Sequence, residues 1–189
     1  MRMISGLTLT SRPRLQSSLQ RSTASGMRIL AWLNIEVALS STSNSSTPSG
    51  GTPSAAIADA SAAAREFVAT KPADDRIAVV SVGRQAVQLT SFSSATAEAD
   101  EALRTVEVDA VQGTALYDAV VLSSQALAAD VNPTRVLVLL TDGQEVSSDA
   151  TLAQAIEAAR EADVAVYPIG IESRSFRPAP LQQLAARTG

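Results

Sequence analysis

A chain of 189 residues that is 46% hydrophobic, with a mean hydropathy of +0.12, can bury one substantial core, so a single domain is expected. The absence of His and Cys excludes Ser-His-Asp and Cys-His catalysis, imidazole and thiolate metal ligation, and disulfides. Residues 1–40 carry five Arg against Glu36 alone, leaving residues 41–189 at net −8; that acidic body, with 3% aromatics overall, lacks the basic stripe and stacking platform that nucleic-acid binding needs.

With so few aromatics the core must be built from Ala, Val, Leu and Ile, as in Ala-rich helices packed on aliphatic strands. No apolar run approaches the ~20 residues of a membrane-spanning helix. The first 35 residues contain no Asp or Glu and are rich in Arg, Ser and Thr, a composition shared by transit peptides and disordered tails. Residues 1–36 are therefore expected to form an irregular, poorly ordered segment, and residues 37–189 the domain. In "ILAWLNIEVALS" the polar Asn34 and Glu36 interrupt the apolar pattern, which leaves Val37, Ala38 and Leu39 as the part of a first strand expected to be buried.

From Pro53 onward, strand-like and helix-like segments alternate with short connectors, the pattern of a mainly parallel sheet covered by helices on both faces. Thr52 suits an N-cap and Pro53 a first helical position; Ile57, Ala60, Ala64, Phe67 and Val68 fall on one face before Pro72 closes the helix. "RIAVVSVGRQAVQLT" reads as strands Arg76 to Val82 and Ala86 to Thr90, and the tight turn at Gly83 makes them antiparallel. A helix capped by Ser94 is expected over Ala95 to Val106. Another, Ala115 to Ala128, places Leu116, Val120, Ser123 and Leu127 on one stripe. The unbroken aliphatic run Val136 to Leu140 belongs at the sheet centre, covered on both faces. A helix from about Ser148 to Ala162, a strand Val164 to Ile171 and a last helix from about Pro180 follow; Pro168, without an amide donor, argues that this strand is an edge.

In open parallel sheets, ligands bind beyond the carboxyl ends of the strands. Three loops there are rich in small oxygen donors: Ser40 to Ser46, Gln112 to Thr114, and Thr141 to Gly143. A hard cation such as Mg²⁺ takes about six oxygens, with one or two carboxylates and several waters, so these loops suffice to assemble a site.

Four segments, "ADDRIAVVSVG", "QGTALYDAVVLS", "RVLVLLTDGQE" and "ADVAVYPIGI", resemble in order and spacing the body of a von Willebrand factor A-type domain of the bacterial kind, over roughly residues 37–189. The resemblance implies an α/β fold: a Rossmann-like, doubly wound, mainly parallel sheet with one antiparallel edge strand and helices on both faces. It implies a non-enzymatic adhesion module in which a protein ligand's acidic side chain completes the coordination of a bound Mg²⁺ or other divalent cation. Of the family's metal-ion-dependent adhesion site, Thr114 and Asp142 take the second and third positions, and Ser43 and Ser45 fit the two serines of the first loop. Ser41 stands where the family has its first Asp; a neutral hydroxyl there removes one charge that would offset the cation, so affinity is expected to be reduced. The family's pattern also continues with a strand and helix beyond the segment matched by "PAPLQQLAARTG", which leaves the Pro168 strand as an expected bare edge.

Plainer roles stand beside these. Asp142 would serve as a turn-capping carboxylate at Gly143, Thr114 as the N-cap of the helix at Ala115, and Ser43 and Ser45 as linker residues. Tyr117 reads as helix packing and Asp118 as a solvated helix residue. "SGGTPS" before a helix has the glycines of an anion cradle but neither a Walker lysine nor the G-x-G-x-x-G order. Two alternatives to the adhesion module remain: a Rossmann-like small-molecule or nucleotide-binding enzyme using Asp142, and a metal-independent scaffold.

Overall fold

A computed structural model of the chain describes residues 3–4, 7–8, 28–33, 53–105, 113–130, 134–171 and 176–189. Its strands are β1 (Met3–Ile4), β2 (Leu7–Thr8), β3 (Arg28–Leu33), β4 (Arg76–Val82), β5 (Ala86–Gln88), β6 (Arg135–Thr141) and β7 (Val164–Ile171). Its helices are α1 (Pro53–Thr70), α2 (Thr96–Thr105), α3 (Leu116–Ala128), α4 (Leu152–Glu161) and α5 (Pro178–Thr188). The strands form one sheet in the order β1-β2-β7-β6-β3-β4-β5. The four inner strands β7, β6, β3 and β4 run parallel, and β5 closes one side antiparallel to β4, as the tight Gly83 turn requires.

Alternation along the inner strands sorts their side chains into two cores. Ala78, Val80 and Val82 of β4 and Leu137 and Leu139 of β6 pack with Leu116, Ala119, Val120 and Leu127 of α3, Ile156 of α4, and Leu181 and Leu184 of α5. Ile77 and Val79, together with Val138 and Leu140, face the opposite way, against Ala64 and Val68 of α1 and Leu103 of α2. Helices therefore cover both faces, and the aliphatic run of β6 sits near the middle of the sheet between β7 and β3, as its composition demands. The stripe on α3 is as expected: Leu116, Val120, Ser123 and Leu127 are all wholly buried. Among the described residues, no helix is long and apolar enough to cross a membrane.

Four local expectations are corrected. The sequence locates the buried part of the first strand at Val37 to Leu39; the first inner strand of the sheet is Arg28–Leu33, upstream of that stretch. Residues 34–52, with Thr52 and the Val37–Leu39 stretch, lie outside the described residues. The β7 strand is not a bare edge, because Gly170 and Ile171 pair with Thr8 and Leu7 of β2 in antiparallel register; Pro168 lies beyond that pairing and needs no donor toward it. Antiparallel pairing thus flanks the parallel core on both sides rather than one. Helix α2 starts at Thr96, and the amide of Ala95 is taken by Ser93 Oγ (3.1 Å), not by Ser94. Helix α4 starts at Leu152 rather than Ser148, with Thr151 and Gln154 forming a reciprocal capping box.

Candidate functional site

Because β3 is in register with β4 and β6, the carboxyl ends of all three meet one rim: Leu33 is level with Ser81 on one side and Leu140 on the other. Two of the candidate residues lie at this rim. Asp142 directly follows β6. Thr114 precedes α3, and its neighbour Ala115 donates from its amide to the Gly83 carbonyl (2.9 Å) just past the end of β4. The Thr114 carbonyl accepts from the amides of Val146 (3.0 Å) and Ser147 (3.1 Å), which ties it to the loop that Asp142 opens. The end of β3, Leu33, lies between β4 and β6; Ser41, Ser43 and Ser45 lie outside the described residues.

Thr114 and Asp142 are both buried, at 0% and 3% exposure, and a carboxylate this far from water needs polar partners. Asp142 Oδ1 accepts from the amide of Gln144 (3.0 Å), and the hydroxyl of Thr141 accepts from the amide of Gly143 (3.0 Å). These two-residue closures form a tight turn that needs the left-handed backbone of Gly143 (φ +78). On its other side the Asp142 carbonyl accepts from the amide of Arg177 (2.7 Å) at the start of α5.

Thr114 does not cap α3: the N-cap position is Ala115, which has no acceptor side chain. The loop after β6 supplies what Ala115 lacks. The amide of Tyr117 donates to Glu145 Oε2 (3.0 Å) and to Ser148 Oγ (3.0 Å), and the amide of Asp118 donates to Ser148 Oγ (3.2 Å). Glu145 Oε1 accepts from the amides of Ser147 (3.0 Å) and Ser148 (2.7 Å), and Oε2 also from the Ser148 hydroxyl (2.7 Å). A carboxylate at a helix N-terminus also meets the positive end of the helix dipole. Glu145 was not among the sequence candidates. Its bonds to Ser147 and Ser148 had a local signal, an acid followed at two and three residues by Ser, but the contact with Tyr117, 28 residues away, had none.

Asp118 is likewise not a solvated helix residue. Its carboxylate accepts from the amides of Asp149 (3.0 Å) and Ala150 (2.8 Å), holding the approach to α4 against α3. Tyr117 packs against the α3-side core as expected, and burial, followed by the negative charge of Glu145, raises its phenol above the ordinary value.

Among the described residues, no three His, Cys, Asp or Glu side chains cluster as a metal site. A cation at this rim would be held by hydroxyls around one carboxylate, with water completing the shell. Thr114 and Asp142 fit such a hard, oxygen-only donor set, which suits Mg²⁺ better than a soft transition metal.

A doubly wound, mainly parallel sheet with the Thr114 and Asp142 loops side by side at its carboxyl rim defines a Rossmann-like domain. The model of the von Willebrand factor type A domain matches residues 39–144, more than half of the chain, and the chain belongs to that family. The match spans Ser41, Ser43, Ser45, Thr114 and Asp142. No curated protein sequence matches the chain. Among solved structures, it is similar to a von Willebrand factor type A protein from Catenulispora acidiphila (TM-score 0.70, 20% identity, covering 88% of this chain and 38% of that one). It is also similar to an aerotolerance-related membrane protein from Bacteroides fragilis (0.60, 18%, 86% and 88%) and to the von Willebrand domain of the pili tip protein Mfa5 from Porphyromonas gingivalis (0.53, 18%, 68% and 43%). The chain thus spans less than half of the Catenulispora and Porphyromonas chains. At these identities the likeness speaks for the fold.

Proposed function

We propose that this domain is a non-enzymatic protein-binding module that holds Mg²⁺ or a similar divalent cation through Ser43, Ser45, Thr114 and Asp142, with an acidic side chain of the partner completing the coordination. Ser41, at the position of the family's first Asp, supplies a neutral oxygen, and the site is weaker for it. The observation that carries the reading is the tie between the two loops: the Thr114 carbonyl is hydrogen-bonded to the loop that begins at Asp142, beside the strand end from which the serine-bearing segment departs. The chemistry asked of the cation is that of a Lewis-acidic bridge. The protein's own residues fix the loops, keep Asp142 out of bulk water and leave the last coordination position to the partner.

Isothermal titration with Mg²⁺ and Mn²⁺ tests this on the full chain, on S41D and on D142A. Weak binding by the wild type should tighten about tenfold in S41D, where a second carboxylate is added, and vanish in D142A. Equal behaviour of all three proteins would sink the metal site and leave the scaffold reading.

A further inference from the structure

The protein is acidic, and most of its described cationic side chains are already engaged. Arg65 and Arg104 both pair with Asp100, Arg76 with Asp130 and Arg160 with Glu157. Arg135 donates to the carbonyls of Ala162 and Asp130, and Lys71 to those of Pro72, Asp75 and Ser94. Besides Arg135, whose guanidinium is taken by backbone carbonyls, three arginines have no carboxylate partner among the described residues: Arg84, Arg177 and Arg187. Arg187 sits in the last turn of α5, where the negative end of the helix dipole accounts for it.

The other two flank the candidate site. Arg84 lies in the β4–β5 turn, exposed, with its side chain across Gly113; a Cβ on Gly113 would come within 2.6 Å of Arg84 Cγ, and Thr114 is the next residue. The Arg84 carbonyl accepts from Ser147 Oγ (3.4 Å), on the same loop as Asp142. Arg177, also exposed, donates its amide to the Asp142 carbonyl (2.7 Å), and its own carbonyl lies against Gly143. One guanidinium without a carboxylate partner among the described residues therefore springs from each side of the Thr114 and Asp142 pair, that of Arg177 donating to the Phe176 carbonyl (3.4 Å). Two nearby acids are committed: both oxygens of Glu145 and both of Asp118 accept from backbone amides or the Ser148 hydroxyl in the contact between α3 and the 145–150 segment. Val146, 56% exposed, has its amide held by the Thr114 carbonyl and adds an apolar contact on the same crest.

We infer that Arg84 and Arg177 form a two-armed cationic clamp around the candidate site, and that the partner is a protein segment with several carboxylates: one directed at the site and others, on either side of it, paired with the two guanidiniums. This rests on the proposed binding rim and adds to it the charge pattern of the partner. A guanidinium suits the task because its planar fork takes a carboxylate through two parallel hydrogen bonds. Rim charges of this kind select partners and speed encounter, and they are sensitive to salt.

Fluorescence anisotropy with two labelled heptapeptides tests the clamp, one alternating glycine with three aspartates, the other with the outer two aspartates replaced by serine. In the presence of Mg²⁺ the three-acid peptide should bind more tightly. R84Q and R177Q should each weaken it about threefold, and the double variant about tenfold, with the one-acid peptide changed less than twofold. Raising salt from about 50 to 300 mM should weaken the three-acid peptide on the wild type and have little further effect on the double variant. R84K with R177K should restore part of the loss. If the variants bind the three-acid peptide as the wild type does, or if neither peptide binds, the clamp is wrong. Equally tight binding of an oligonucleotide of matched charge overturns the choice of partner. Arginine-dependent binding that persists unchanged in EDTA and in D142A keeps the clamp and rejects the metal site instead.

Discussion

Removing Glu145 should cost the fold more than its loop position suggests. Its carboxylate accepts four hydrogen bonds, from the amides of Tyr117, Ser147 and Ser148 and from the Ser148 hydroxyl, and it joins the loop after β6 to the first turn of α3. A hydrogen bond to a charged group contributes about 1.5–3 kcal/mol, but the four share one carboxylate and do not add. The Tyr117 amide keeps Ser148 Oγ as a second acceptor, and the half-buried loop admits water to part of what is left. The net loss for E145A is therefore about 2–4 kcal/mol. In urea, with a slope of about 2 kcal/mol per molar, the unfolding midpoint followed by far-UV circular dichroism should fall by about 1–2 M at unchanged slope. E145Q should recover less than half, because its single carbonyl oxygen replaces only one acceptor while its NH₂ group is turned toward donors. The charge of Glu145 also helps raise the Tyr117 phenol, so spectroscopic titration of E145Q should show Tyr117 ionising at lower pH than in the wild type, though still above the ordinary value because burial remains. An E145A midpoint within about 0.2 M of the wild type would refute the clamp between loop and helix.

Three further outcomes follow from the packing. G143A places a side chain at φ +78 against the Arg177 carbonyl and displaces the turn that orients Asp142; a loss of about 2–4 kcal/mol in urea unfolding is expected, and a loss under about 0.5 kcal/mol would contradict it. L139A empties a wholly buried position of β6 in the α3-side core and should cost about 3 kcal/mol, a fall in Tm of about 10 °C by calorimetry. Arg65, and then Arg104, hold the Asp100 carboxyl below its ordinary value against an opposing desolvation effect. That contribution is complete above the unfolded value of about 3.9 and is lost as pH falls through the lowered folded value. The wild-type Tm should therefore drop more steeply below about pH 4 than that of D100N, and parallel profiles would show that the pair contributes nothing.

What could be read from the chain were features whose cause is local. The aliphatic run of β6, the Gly83 hairpin and the four-residue stripe of α3 each carry their own periodicity, and each is found where the pattern puts it. Features set by distant residues were not legible. Helix α4 begins late because the amides of Ser148, Asp149 and Ala150 are taken by Glu145 and Asp118 rather than by a helical ladder, so the chain turns helical only at the Thr151 capping box. The two-residue pairing of β2 with β7 is too short to leave a pattern. The first inner strand was sought next to the serine loop, in Val37 to Leu39, whereas the sheet takes the uninterrupted "RILAWL" upstream of the two polar residues. Thr114 and Asp142 came into view through the resemblance of their two segments to the family, and their loops are hydrogen-bonded to each other in the structure. The carboxylates that hold their loops did not come into view, because their partners lie about thirty residues away.

The acids around the rim divide their labour, and that division has a consequence for any ligand. Glu145 and Asp118 spend both oxygens on backbone amides and a hydroxyl, which fixes the 142–150 loop against α3 before anything binds. Asp142 is held within its own turn: its carbonyl accepts from the Arg177 amide, its carboxylate accepts from the Gln144 amide, and its position is set by Gly143. A rim built this way pays little ordering entropy on binding, because its loops are already fixed by bonds independent of the ligand. Changes at Glu145 or Asp118 should therefore register first as lost stability, with binding lost only as the loop loosens. Changes at Asp142 should register as lost cation binding, whatever they cost the fold. Were D142A to destabilise the protein as much as E145A while leaving cation binding intact, the roles assigned to the two carboxylates would have to be exchanged.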